Sequence, residues 1–135
     1  MTTAVKDLRG ATDTIVAKLK EKGIADNEKL LAAAAAPAQR KELADHCGCD
    51  AQTILELANR ADLARIKGIS GVYSDLLENS GVDTVKELAT RQPDNLHATI
   101  LEINDKAKLT ERPPATALVA DWVEQAKALP PILTY

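Results

Sequence analysis

Leu63-Ala64-Arg65-Ile66-Lys67-Gly68-Ile69-Ser70-Gly71-Val72-Tyr73 is the stretch on which the reading of this chain turns. An apolar residue, any residue, then Gly-apolar-x-Gly opening a helix is the pattern of a helix-hairpin-helix element, and Ile66 to Gly71 fits it. Gly68 permits the φ > 0 turn that reverses the chain. Ile69 is expected to plug its side chain between the two helices. Gly71 would let a ligand come close to the backbone where the next helix begins. The amides around Ile69 to Val72 are expected to be unpaired donors at a helix N-terminus, a place that attracts phosphate oxygens. Arg65 and Lys67 add positive charge beside them. The candidate nucleic-acid-binding residues are therefore Arg65, Lys67, Gly68, Ile69, Ser70, Gly71 and Val72. Contact of this kind reads backbone and not bases, so it would be sequence-nonspecific and salt-sensitive. The plainer alternative is a compact turn that serves only packing or protein contact.

The same pattern recurs upstream. Laying Leu8-Arg9-Gly10 over Ile66-Lys67-Gly68, an offset of 58, places Thr12 on Ser70, Ile15 on Tyr73, Leu19 on Leu77, Gly23 on Gly81, Ile24 on Val82 and Leu30 on Leu88 without a gap. Two glycine matches in register point to an internal duplication, with a helical hairpin pair as the unit. The first copy, Arg9, Gly10, Ala11 and Thr12, is the weaker candidate. It sets Asp13 where the second has Gly71. A carboxylate there suits a helix cap but repels phosphate, so a structural role is expected for this copy.

Helical punctuation is dense around both hairpins. Helices are expected over about 12–22, 27–35 (ending before Pro37), 38–47 and, after an N-cap at Asp50, a segment carrying Ile54, Leu57, Ala58 and Ala61 on one face. Beyond the second hairpin they are expected over about 72–79, from a cap at Asp83 to about Thr90, from Pro93 to about Ile103, and from about Ala115 to Ala128. The fold class is all-α: tandem helix-hairpin-helix units, each followed by a supporting helix pair. A single helical domain is expected over 1–129, its hairpin units at about 5–60 and 61–129, with a short tail at 130–135.

Composition fits this class. Hydrophobic residues make up 45% of the 135 and charged residues 27%, too apolar for disorder. Aromatics are only 2%, with no Phe, which suits helices packed through small aliphatic side chains. No stretch approaches the roughly 20 apolar residues of a membrane span, and the polar start does not resemble a signal peptide. A cytoplasmic protein without a membrane partner is expected. The formal net charge of −3 argues against a strong, chain-wide attraction to nucleic acid, though not against a local basic face.

Beyond the hairpins, Asn59-Arg60-Ala61-Asp62-Leu63, Gly81-Val82-Asp83-Thr84-Val85-Lys86-Glu87-Leu88, Asn95-Leu96-His97-Ala98 and Asp121-Trp122-Val123-Glu124-Gln125-Ala126-Lys127 carry a resemblance over nearly the whole chain. With the hairpin, they resemble a bacterial family of small, uncharacterised helix-hairpin-helix proteins, a domain of unknown function. The resemblance implies the tandem fold and kinship with the hairpins of DNA polymerases, ligases and repair proteins. It implies no established activity.

Other constellations point less far. Arg40 to Arg60 has helix-turn-helix spacing, but its second helix would offer Asp50, Gln52, Thr53 and Glu56 to a groove, and two acids among four suit packing better than base reading. His46-Cys47-Gly48-Cys49 lacks the fourth, separated ligand of a structural zinc site, so no metal and no cofactor are expected. His97 has no nucleophile placed to pair with it, and the carboxylates are scattered. Trp122 is expected to anchor the core. The tail Pro130 to Tyr135 either folds back or docks to a partner. The expected function is a non-enzymatic module that contacts DNA backbone through the second hairpin. The alternative is a protein-interaction or scaffolding module whose hairpins no longer bind nucleic acid. No catalytic residues are expected.

Overall fold

The structure, a computed structural model, describes residues 2–69 and 71–135. These residues hold eight α-helices, one short 3-10 turn at Val5–Asp7 and no β-strand. The chain divides into two compact units, residues 1–65 with 132–135, and residues 66–131.

In the first unit the Leu8–Gly10 turn leads into α1 (Asp13–Glu21), α2 (Asn27–Ala33), α3 (Pro37–Cys47) and α4 (Ala51–Leu63). Each start has a local cause. Thr12, Asp26 and Asp50 accept the amides of Ile15, Lys29 and Thr53 in their side chains, which satisfies helix donors that would otherwise be orphaned. Pro37 occupies the first turn of α3, where its missing N–H costs nothing. Residues Ile54, Leu57, Ala58 and Ala61 of α4 are buried, as the spacing predicts, and α4 packs against α2 and α3. Asn27, wholly buried, accepts from the Thr3 amide at 2.8 Å and donates to the Ala61 carbonyl at 3.2 Å.

The second unit carries α5 (Gly71–Asn79), α6 (Val85–Ala89), α7 (Pro93–Ala107) and α8 (Thr116–Ala128). Its core gathers Ile66, Leu76, Leu77, Val82, Leu88, Leu96, Ile100, Val119, Trp122 and Val123. Helix α8 packs on α6 and α7, and α5 on α7. The first unit has the same pairings, α4 on α2 and α3, and α1 on α3.

Correspondences at the offset of 58 extend to the backbone. Gly10 and Gly68 have φ of 90° and 96°, and Gly23 and Gly81 have 76° and 89°. The Ile24 amide donates to the Leu19 carbonyl and the Val82 amide to that of Leu77. Asp26 caps α2 where Thr84 caps α6.

Several expectations are corrected. Thr84, not Asp83, caps α6, because its hydroxyl accepts the Glu87 amide at 3.2 Å. Helix α7 continues a turn past Ile103 to Ala107 and closes on Lys108 at φ 52°. Helix α2 stops at Ala33, and the 3-10 turn at Val5–Asp7 was not signalled by any apolar period. The tail folds back onto the first unit: Thr134 donates its amide to the Ala35 carbonyl at 2.8 Å, and Leu133 packs on that unit's core.

Candidate nucleic-acid interface

The second hairpin is built on Ile66 and Gly68. Ile66 is 2% exposed and is the residue that plugs into the core; Ile69, expected in that role, is only half-buried. The reason is the turn itself, which points Ile66 inward just before the backbone reverses at Gly68. A Cβ on Gly68 would stand 3.1 Å from Trp122 Nε1 and 3.5 Å from Leu118 Cδ1, so glycine is required there by both conformation and space. Beneath it Trp122 is fully buried, its indole N–H has no hydrogen-bond partner among the described residues, and the Tyr73 ring tilts against it at 5.4 Å.

Helix α8 grips the hairpin with one side chain. The Lys67 amide donates to Gln125 Oε1 at 2.9 Å, and Gln125 Nε2 donates to the Lys67 carbonyl at 3.2 Å. Gln125 Nε2 also donates to Asp121 Oδ2 at 2.8 Å, which fixes the amide's orientation. The sequence reading missed Gln125 and Asp121. The available signal was an alignment of α4 on α8 at an offset of 65, which superposes the buried set Ile54, Leu57, Ala58, Ala61 on Val119, Trp122, Val123, Ala126 and sets Gln125 on the hairpin side.

The expected site residues fare differently. Lys67, Gly68 and Gly71 are exposed, and Val72 and Ile69 are half-buried. A Cβ on Gly71 would meet nothing within 4 Å, so the start of the nine-residue α5 opens onto free space. The Ile69 amide is not an unpaired donor, since it donates to the Ile66 carbonyl at 3.4 Å. Ser70 lies outside the described residues. Arg65, expected to lend charge to a ligand, is instead drawn into an ion pair: its guanidinium lies 2.9 Å from Asp62, the two side chains being 10% and 5% exposed. A buried pair of this kind is already charge-balanced, which leaves Lys67 as the cation of the hairpin tip.

In the first hairpin Arg9 and Gly10 are exposed, and the Ala11 amide donates to the Leu8 carbonyl at 3.2 Å. Thr12, not Asp13, caps α1; Asp13 stands exposed in the first turn. At Gly10 a Cβ would meet only Leu57 Cδ2, at an ordinary 3.8 Å.

His46-Cys47-Gly48-Cys49 makes a helix stop. Gly48 adopts φ 70°, and the Cys49 amide returns to the Ala44 carbonyl. His46 Nε2 donates to the Lys18 carbonyl at 2.9 Å. Burial pushes the Cys47 thiol above its ordinary pKa, with Cys49 adding to the rise, and burial does the same to Cys49. His97 bridges the loop before α8: Nε2 donates to the Pro114 carbonyl at 2.9 Å, and the Thr116 hydroxyl donates to Nδ1 at 3.1 Å.

Among the described residues no helix is long and apolar enough to cross a membrane. A family model described as a domain of unknown function, DUF4332, matches residues 9–129. No curated protein and no solved structure matches the chain.

Proposed function

The chain belongs to the DUF4332 family, and from its own geometry we propose that it is a cytoplasmic, non-enzymatic module of two duplicated helix-hairpin-helix units that contacts the phosphate backbone of DNA through the second hairpin. The observation that carries this reading is the openness of that tip. Lys67, Gly68 and Gly71 are exposed, and nothing crowds the space in front of Gly71 at the N-terminus of α5. A helix of nine residues presents its first amides and the positive end of its dipole there. Lys67 supplies a full charge alongside. Binding of this kind is weak, indifferent to sequence and steeply weakened by salt.

The test is a titration of fluorescent single- and double-stranded oligonucleotides across a salt series, wild type beside Gly71→Asp. Gly71 opens α5 and a Cβ built there meets nothing within 4 Å, so the variant is expected to fold, and it puts a carboxylate where the first hairpin has Asp13. Wild type is expected to bind at about 50 mM salt with a log–log slope near −1 to −2, and the variant to lose that binding. No binding by wild type under those conditions rejects the reading. Equal binding by both proteins moves the site away from the hairpin.

Two observations favour the second reading, a protein-interaction or scaffolding module. Residues 66–131 hold seven basic against ten acidic side chains, whereas the first unit is balanced at ten and ten. The unit with the open hairpin thus carries the whole net charge of −3, which repels a polyanion at long range. The Lys67 peptide, moreover, is already occupied on both sides by Gln125. Under this reading the oligonucleotide titration is flat while the hairpin stays folded.

A further inference from the structure

Residues 3–5 are strapped to the connection between α1 and α2. Ala4 pairs with Asp26 in a single antiparallel bridge, the Val5 amide donates to the Ala25 carbonyl at 3.0 Å, and the Asn27 amide donates to the Thr3 carbonyl at 2.8 Å. Val5 is buried in the core of the first unit. Ile24, buried too, is tied to α1 through its amide, which donates to the Leu19 carbonyl. Backbone bonds therefore hold this corner in shape without a ligand.

The corner encloses a hollow of about 210 Å³, lined by Ala4, Lys6, Val16, Lys20, Ile24 and Ala25. Val16 and Lys20 stand one turn apart on the same face of α1. Ala4 and Val16 are half-buried, and both lysines are exposed. The walls are thus aliphatic, and the two charged side chains among them are both cations. Two acids close in sequence are engaged elsewhere: Glu21 lies 3.7 Å from Lys18 and from His46, and Asp26 accepts the Lys29 amide at 2.9 Å. Among the described residues neither Lys6 nor Lys20 has a carboxylate within ion-pair distance.

The second unit does not repeat this lining. At the offset of 58 the six positions become Asp62, Ala64, Ser74, Glu78, Val82 and Asp83. Both lysines are gone, one of them to a carboxylate, and the apolar Ala4, Val16 and Ala25 give way to polar side chains. The chemistry of the hollow is therefore not dictated by the backbone pattern that the two units share.

We propose that the hollow is a binding site for a short aliphatic carboxylate, a free acid of about six carbons, whose chain lies on Val16 and Ile24 while its carboxylate meets Lys6 and Lys20. The volume equals about seven waters at their liquid share of roughly 30 Å³ each. That is room for such a chain and too little for a drug-sized molecule. A compact hydrated anion gains nothing from aliphatic walls, and an alkylammonium is repelled by the two lysines. The site lies wholly within the first unit and uses no residue of either hairpin tip, so it holds or fails whatever the oligonucleotide titration gives.

Amide NMR of the full chain, titrated at constant ionic strength with acetate, butanoate, hexanoate and octanoate, measures this directly. Hexanoate is expected to move the amides of Val16, Lys20, Ile24 and Ala25 saturably, with a Kd on the order of 1 mM. From acetate upward, affinity should rise about fourfold per methylene and level off once the hollow is full, before octanoate. Hexylamine should leave those amides in place. In a protein carrying Lys6→Gln and Lys20→Gln, both exposed positions, hexanoate should bind about fivefold more weakly while hexanol binds as it does to wild type. The proposal is overturned if those amides do not respond to about 20 mM hexanoate, if hexylamine moves them equally, or if the glutamine protein binds hexanoate as tightly as wild type. Movement on phosphatidylglycerol vesicles with none on free hexanoate gives the hollow to a lipid surface and overturns it as well.

Discussion

Gly68 and Gly71 lie three positions apart, and only the first is constrained. Gly68 combines φ 96° with an indole nitrogen 3.1 Å from its would-be Cβ, whereas Gly71 has neither constraint. Gly68→Ala is expected to cost about 2 kcal/mol or more, from left-handed strain plus the displacement of Trp122. Gly71→Ala should leave stability within about 0.5 kcal/mol. Urea unfolding of the two variants checks the contrast, and equal losses would refute it. The cysteines give a second expectation at this scale. Burial holds the Cys47 and Cys49 pKa values up, so the folded state favours the neutral thiols. Their contribution is complete below the unfolded thiol pKa of about 8.5 and is lost as pH rises through the folded values. The urea midpoint should therefore fall on the alkaline side, less so in Cys47→Ala, and iodoacetamide should alkylate the folded chain more slowly than the unfolded one.

At the level of elements, the helices were legible wherever a cap or a stop was written in side-chain chemistry. Asp50, Gly48, Gly81 and Pro93 mark boundaries by properties that act within one or two residues, and those boundaries hold. The misplaced ones were decided by competition between neighbours. Asp83 and Thr84 can both cap, and the one whose hydroxyl reached the Glu87 amide prevailed. The extra turn of α7 has no large apolar residue after Ile103 to announce it, and is closed by a left-handed Lys108 that no residue-type rule singles out. The candidate site was legible in its glycines and not in its electrostatics. Arg65 reads as a free cation in one dimension; only folding brings its guanidinium to Asp62, three residues back and almost wholly buried. Gln125, fifty-eight residues from the peptide it holds, is invisible to any local pattern.

On the scale of the molecule, the last four residues belong with the first sixty-five. Arg40, 4% exposed, donates to the carbonyls of Ala34 at 2.9 Å, Ala35 at 3.0 Å and Thr134 at 2.6 Å, and lies 5.7 Å from the Tyr135 ring centroid. A buried guanidinium satisfied by carbonyls alone loses one of its acceptors when the tail leaves, and an unmet buried donor of this kind costs about 1–3 kcal/mol. Deleting Ile132 to Tyr135 should therefore raise amide exchange across residues 2–65, with the largest change at Ala34, Ala35 and the start of α3. Exchange unchanged there would mean that the tail contributes nothing to the first unit. Nothing in the tail's composition chose between folding back and docking elsewhere. The choice was made by Arg40, nearly a hundred positions away.

The indole beneath Gly68 has an optical consequence. Trp122 is the one tryptophan of the chain, fully enclosed, with an N–H that finds no partner among the described residues and Tyr73 at 5.4 Å. Its emission should be blue-shifted, free of quenching by solvent and fed by excitation transfer from the tyrosine. Any event that lifts the hairpin off α8 would bring water or a carbonyl to that N–H and move the spectrum to the red. The protein thus carries, without added dye, a spectroscopic gauge of whether its better hairpin is seated.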